Sequence, residues 1–149
     1  MSDINDPIDA FVDNLQEQIF DETRMAYGEA GFERWRHPLY NGRMENADSH
    51  ARVTGQCGDT MEMFLVFEDG RVKNATYTTD GCGASTVCGS FTAEIAIGKT
   101  PDELAGITGE KVLAVIGTFP DEDQHCAFLA AETLQDALEN YMRNTENFS

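Results

Sequence analysis

Cys57, Cys82 and Cys126 are the side chains in this sequence best suited to chemistry, because each stands next to a glycine, a histidine or a nearby carboxylate. Cys57 lies in GQCGDT, where Gly55 and Gly58 permit backbone shapes and close approaches that other residues resist, so its thiol is expected in an accessible turn. If the backbone there is extended, Cys57 and Asp59 project to the same side and one metal ion could meet both a thiolate and a carboxylate. Cys82 lies in DGCGAS, again between glycines, where an expected strand gives way to an expected helix. The partial positive charge at a helix N-terminus favours a thiolate over a thiol. Cys126 follows His125 at the expected start of the last helix, after the acidic loop FPDEDQ. The same helix-end effect is expected to favour its thiolate, and the neighbouring imidazole can ligate a metal or relay a proton.

Cys88 reads differently. It falls inside a helical stretch six positions after Cys82, which does not put it on the same face, and it is expected to be a small core residue. His50 reads as structural, and His37, just before Pro38, as a surface residue. The methionines are scattered and form no copper-binding cluster. No CxxC pair occurs, so a metal site built from Cys57, Cys82 and Cys126 requires three distant segments to be brought together by the fold.

Local sequence signals indicate what does the bringing. Residues 8–26 carry Ile8, Phe11, Val12, Leu15, Ile19 and Phe20 at helical spacing after Pro7, with Asp6 available as a cap, and predict an amphipathic helix. Packing on the domain is its plainer role; offering a face to a partner or to a second copy is the sharper one. A short helix over 30–36 should stop before Pro38. Three strands are expected at about 48–54, 60–68 and 71–79, the last two joined at Asp69-Gly70, a hairpin-turn dipeptide. Helices follow at 84–97 with Gly98 as a stop, from Thr100-Pro101, over 110–116, and over 125–143. Strands first and helices afterwards make this an α+β domain: a three-stranded antiparallel sheet packed by helices, with an additional N-terminal amphipathic helix.

The chain of 149 residues is long enough for one core without disulfide staples. Lys and Arg number 10 against 27 Asp and Glu, and the net charge of −17 would repel nucleic acid phosphates and anionic membranes alike. No apolar run reaches membrane-spanning length, and MSDINDPIDAF lacks the basic flank and apolar stretch of a secretory signal, so a cytoplasmic location is expected. In that reducing setting cysteines serve as ligands, catalytic thiols or small hydrophobes rather than as disulfides.

GQCGDT, DGCGAS and HCAFLA, in that order and with GKTPDEL between the last two, closely resemble the IscU/NifU-type iron-sulfur cluster assembly scaffolds. The resemblance covers about residues 27–149, leaving residues 1–26 as an N-terminal helical extension. It implies that Cys57, Cys82 and Cys126 ligate a transient iron-sulfur cluster, usually 2Fe-2S, and that Asp59 or His125 supplies the fourth position. It also implies a cysteine desulfurase or another sulfide source as sulfur donor, with Cys126 as persulfide acceptor. Apo iron-sulfur proteins are the implied recipients, and a homodimer is a candidate assembly. The family's Leu-Pro-Pro-Val-Lys motif is replaced by FPDEDQ, with Asp123 where the lysine falls, which puts an Hsp70-type chaperone partner in question. The alternative is a zinc-dependent sulfur transferase resembling SufU, since three Cys and one Asp also suit tetrahedral Zn2+. That subgroup carries an insertion between the second and third site cysteines which this chain lacks.

Overall fold

A computed structural model describes residues 7–146. Its elements run α1 (Pro7–Arg36), β1 (Ser49–Thr54), β2 (Thr60–Glu68), β3 (Arg71–Thr79), α2 (Gly83–Ala96), α3 (Pro101–Leu104), α4 (Gly109–Ile116), a 3-10 turn (Asp121–Asp123) and α5 (His125–Glu146). The strands form one antiparallel sheet in the order β1-β2-β3, with Ala51 opposite Met63 and Met63 opposite Tyr77. Asp69 and Gly70 turn the hairpin with φ of 56° and 78°, the left-handed pair that a tight two-residue loop requires. This is the expected α+β architecture.

The sheet is apolar on the side that the helices cover. Met61, Met63 and Leu65 of β2 share one face and are fully buried, as are Ala75 and Tyr77 of β3. α2 packs over β3, and α5 lies across β1 and β2. Val87, Cys88, Ala130, Leu134 and Ala137 complete the core. On the outer face Phe64 is shielded by the His50 ring stacked at 4.8 Å and by the Arg43 guanidinium at 5.1 Å, while Glu62 holds both His50 and Arg43. His50 is thus a structural residue. The helix breaks are equally local in origin: Thr100 and Glu103 form a reciprocal capping box with Pro101 at the first helical position, and Gly98 takes φ of 89° after α2.

Cys88 sits in this core with no exposure, and burial raises its thiol well above the ordinary range. Cys88→Ala should cost about 1–2 kcal/mol of stability and leave metal binding unchanged. Denaturant unfolding together with cluster yield after reconstitution checks both halves of that expectation; a lost cluster spectrum in the folded variant would move Cys88 into the site.

α1 departs from the expected packing. Gly28 has φ of 74° and ψ of 175°, so the helix reverses there. Residues on either side of the turn then meet: Phe20 packs edge-on against Phe32 and Trp35, Arg24 lies over the Phe32 ring and Arg36 over that of Phe20. Farther from the turn the apolar stripe is uncovered, with Phe11, Val12, Leu15 and Ile19 between 46% and 67% exposed. The Phe20 end of the stripe packs on the residues beyond the turn. The Asp6 cap lies outside the described residues. The stretch after Gly28 is anchored by Arg34, which donates to Ser90 Oγ at 3.1 Å and Glu94 Oε1 at 2.8 Å of α2 and lies over Phe91. α1 ends at Arg36, and His37 is exposed. Among the described residues no helix is long and apolar enough to cross a membrane.

Candidate metal centre

Three segments converge at one end of the sheet. The loop from β1 to β2 carries Cys57 and Asp59, the start of α2 carries Cys82, and the start of α5 carries His125 and Cys126. The loop is a turn and not an extended stretch: Gly55 N–H donates to the Asp59 carbonyl at 2.8 Å, Gly58 N–H donates to the Gly55 carbonyl at 3.0 Å, and Gly58 has φ of 90°. The condition under which Cys57 and Asp59 would share a side by strand alternation is therefore not met. A Cβ added at Gly55 would lie 3.5 Å from the Leu129 side chain, so the turn runs close over α5. Cys57 is left exposed at its tip.

Asp59, His125 and Cys126 come together, each offering one ligand atom within 4.8 Å of the other two. The sulfurs of Cys57 and Cys82 stand outside that group. Cys57 nevertheless shares with Asp59 and His125 the wall of a cleft of about 350 Å³, closed on the far side by Phe128 and Leu129. Cys82 is the exposed N-cap of α2 and makes no side-chain capping bond, so its thiol is not committed elsewhere. Behind it the Trp35 indole approaches Gly83 so closely that an added Cβ would lie 2.4 Å from Nε1. Glycine at that position is what lets the aromatic packing of α1 reach the cysteine turn.

The electrostatics divide the thiols. Cys126 is 1% exposed, and burial pushes its thiol up to about 11, assisted by the negative charges of Cys82, Asp123 and Asp59 and opposed by a hydrogen bond from Ser85. The expected helix-end stabilisation of this thiolate is outweighed, because Cys126 faces inward at the second position of α5 where desolvation dominates. Asp123, in the 3-10 turn before α5, adds negative charge where a lysine would have eased ionisation. His125 Nδ1–H donates to the Glu122 carbonyl at 3.1 Å, which leaves the Nε2 lone pair facing the site, 3.6 Å from Cys126 Sγ.

Two residues at this centre escape reading from sequence alone. Ser85 lies buried between Asp59 Oδ2, at 3.3 Å, and Cys126 Sγ, at 3.4 Å. Its only signal is its place one helical turn after Cys82 in DGCGAS. Tyr27, just before the reversal in α1, stacks on Phe119 at 5.3 Å. Burial raises its hydroxyl to about 12, and the charges of Asp123, Cys82 and Cys126 push the same way, which puts this phenol within electrostatic reach of the thiols. No local pattern marks it.

The chemistry of the donor set suits a transition metal. Thiolates and imidazole are ligands for iron and zinc, and a carboxylate is a harder, more readily displaced one. Residues 26–147 match the model of the NifU-like N terminal domain. Two iron-sulfur cluster assembly scaffold proteins IscU of Archaeoglobus fulgidus are each 33% identical over 118 residues, spanning 78% of this chain and 77% of their own. The IscU scaffold of Escherichia coli strain K12 is 28% identical over 127 residues, 82% of this chain and 98% of its own. A crystal structure of the N-terminal part of a nitrogen-fixing NifU-like protein from Brucella abortus has the same fold. Its TM-score is 0.63 at 20% identity, over 80% of this chain and 96% of that one.

Proposed function

Because the chain belongs to the NifU-like N-terminal domain family, we propose that it is a scaffold on which an iron-sulfur cluster is built before being passed to apo-proteins. The observation that carries this reading is the convergence of Asp59, His125 and Cys126 beside a cleft whose wall Cys57 shares with Asp59 and His125. The cluster is cargo, so the site must both hold it and let it go. Cys57, Cys82 and Cys126 supply the soft ligands that iron and sulfide prefer, and Asp59 or His125 completes the set as the exchangeable one. Exposure of Cys57 and Cys82 at glycine-flanked turns leaves them free to close on a cluster or open for a recipient. A 2Fe-2S cluster fits a set of this size, and zinc can occupy the same ligands in the isolated protein.

Cys126 is the sulfur acceptor in this scheme. Its buried thiol remains protonated until iron or a sulfur donor takes the sulfur, and the His125 Nε2 lone pair is placed to receive that proton. The thiolate then attacks the outer sulfur of a donor persulfide, as on a cysteine desulfurase, and the donor's own cysteine leaves as a thiolate. Residues 27–149 form the scaffold domain and 1–26 an extension of it. A cytoplasmic setting accords with four free cysteines.

Anaerobic reconstitution with ferrous iron and sulfide tests the reading. The expected product shows cluster absorption and a Mössbauer spectrum of bound iron-sulfur, and it activates an apo-ferredoxin. A protein that binds no iron, holds zinc tightly and instead stimulates a desulfurase would replace this reading with that of a sulfur transferase.

A further inference from the structure

Ser85 is fully buried on the first turn of α2, yet its hydroxyl faces two of the three converging ligands. Asp59 Oδ2 is 3.3 Å away and Cys126 Sγ 3.4 Å away. A serine hydroxyl has a single hydrogen to donate, whereas an ionised carboxylate can only accept. Ser85 is the donor in both contacts, so its one hydrogen is shared between the Asp59 carboxylate and the Cys126 sulfur. The sulfur and the carboxylate thus compete for the same hydrogen. One donor cannot fully serve both.

The space for this arrangement is made on the opposite side by Gly81. A Cβ at that position would lie 2.5 Å from Ser85 Oγ and 2.9 Å from Asp59 Oδ2, and any side chain larger than hydrogen would force the pair apart. Gly81 is itself held by donating its N–H to Thr79 Oγ1 at 3.0 Å, at the end of β3. The carboxylate from the β1–β2 loop and the sulfur from α5 are thus joined through a third element that carries no ligand at this point.

We propose that Ser85 is a positioning residue of the metal centre, which ties Asp59 to Cys126 by sharing its one hydrogen between the carboxylate and the sulfur. The inference rests on the reading of this cleft as a metal-binding site. Its consequence is that the carboxylate and the sulfur are held together through Ser85, and loss of the hydroxyl frees both. A hydrogen bond to a cysteine sulfur also withdraws electron density from it, so the metal–thiolate bond carries a spectroscopic mark of Ser85.

Co2+ alone, added anaerobically to the full chain, is the probe. In Ser85→Ala the thiolate-to-Co2+ charge-transfer band should move to lower energy, and release of Co2+ to a chelator should speed up about tenfold, as loss of a ligand's supporting hydrogen bond does. Ser85→Thr keeps a hydroxyl and should restore the band and the rate. Ser85→Gly removes the hydroxyl in a different way and stands in if the alanine variant does not fold. Band and rate unchanged from the unsubstituted protein, or a threonine variant as impaired as the alanine one, would show that Ser85 only fills space. Failure of the unsubstituted protein to bind Co2+ at all would instead strike the metal-centre reading, and this inference with it.

Discussion

Cys126→Ser should abolish cluster retention, with anaerobic reconstitution giving at most a few per cent of the charge-transfer absorbance of the unsubstituted protein. Changes in the shell around a ligand typically cost 10–100-fold in metal affinity, so removing a ligand outright should cost about 100-fold or more. The substitution nearly preserves shape, which isolates the chemistry. A serine hydroxyl does not ionise near neutral pH and is a hard donor, whereas the sulfur it replaces is soft and gives up its proton to a metal. Since Cys126 is 1% exposed and Ser85 already contacts it, the serine has a hydrogen-bond partner in place and the fold should survive. Circular dichroism with iron and sulfide analysis separates the two effects. A folded variant that retains full cluster would remove Cys126 from the centre and, with it, the assignment of the sulfur acceptor.

Asp59→Ala should have the opposite sign in a kinetic assay, slowing extraction of a preformed cluster by a chelator by roughly tenfold, the lower end of what changes around a ligand produce. In the proposed ligand set Asp59 is the hard member and the one expected to exchange most readily. With a cluster bound it would place a carboxylate beside three thiolates in a chain of net charge −17, so its removal would lessen the negative charge gathered there. The observable is the decay of cluster absorbance after chelator addition. Faster decay would identify Asp59 as an anchor and transfer the exchangeable position to His125, whose Nε2 already faces the sulfur. The two substitutions together distinguish holding from release within one cleft.

The acidity of the chain has a local counterpart here. Asp123 and Asp59 both oppose ionisation of Cys126, and Asp123 is the foremost charge acting on the Tyr27 hydroxyl. An empty centre therefore keeps its buried thiol protonated, protected from oxidants that attack thiolates. In the proposed function, iron or a sulfur donor carrying positive charge would relieve that opposition. Asp123 of the acidic turn acts on the sulfur directly.

Short-range chemistry accounts for what was legible from the amino acids themselves. Asp69-Gly70 could be read as a hairpin turn because the left-handed conformation it needs is a property of those two residues. Thr100-Pro101 could be read as a helix start because the cap is made within one turn. Pro38 marked the end of α1 by its clash with the preceding residue. Cys88 could be read as a small core residue because it lies inside a helical stretch and off the face of Cys82. The three cysteine turns were recognisable as a set through their flanking glycines, Asp59 and His125, and the order of those motifs led to the family.

What tertiary structure alone decided was the environment of each group, because desolvation and hydrogen-bond partners come from segments far away in the chain. Cys126 looks like an activated thiol at a helix start until α2 and the β1–β2 loop close over it, after which burial outweighs the helix end. Ser85 is an unremarked helical residue until the fold sets it against a cysteine 41 positions later. The stripe of α1 left packing and a partner face both open, and the reversal at Gly28 brings Phe20 onto Phe32 and Trp35 while Phe11, Val12, Leu15 and Ile19 stay exposed. Spacing could nominate Cys57, Asp59, Cys82, His125 and Cys126 as ligands. Their division into a converged trio and two exposed cysteines at its margin is a property of how the loops and helix ends pack, since each motif contains too few residues to position itself.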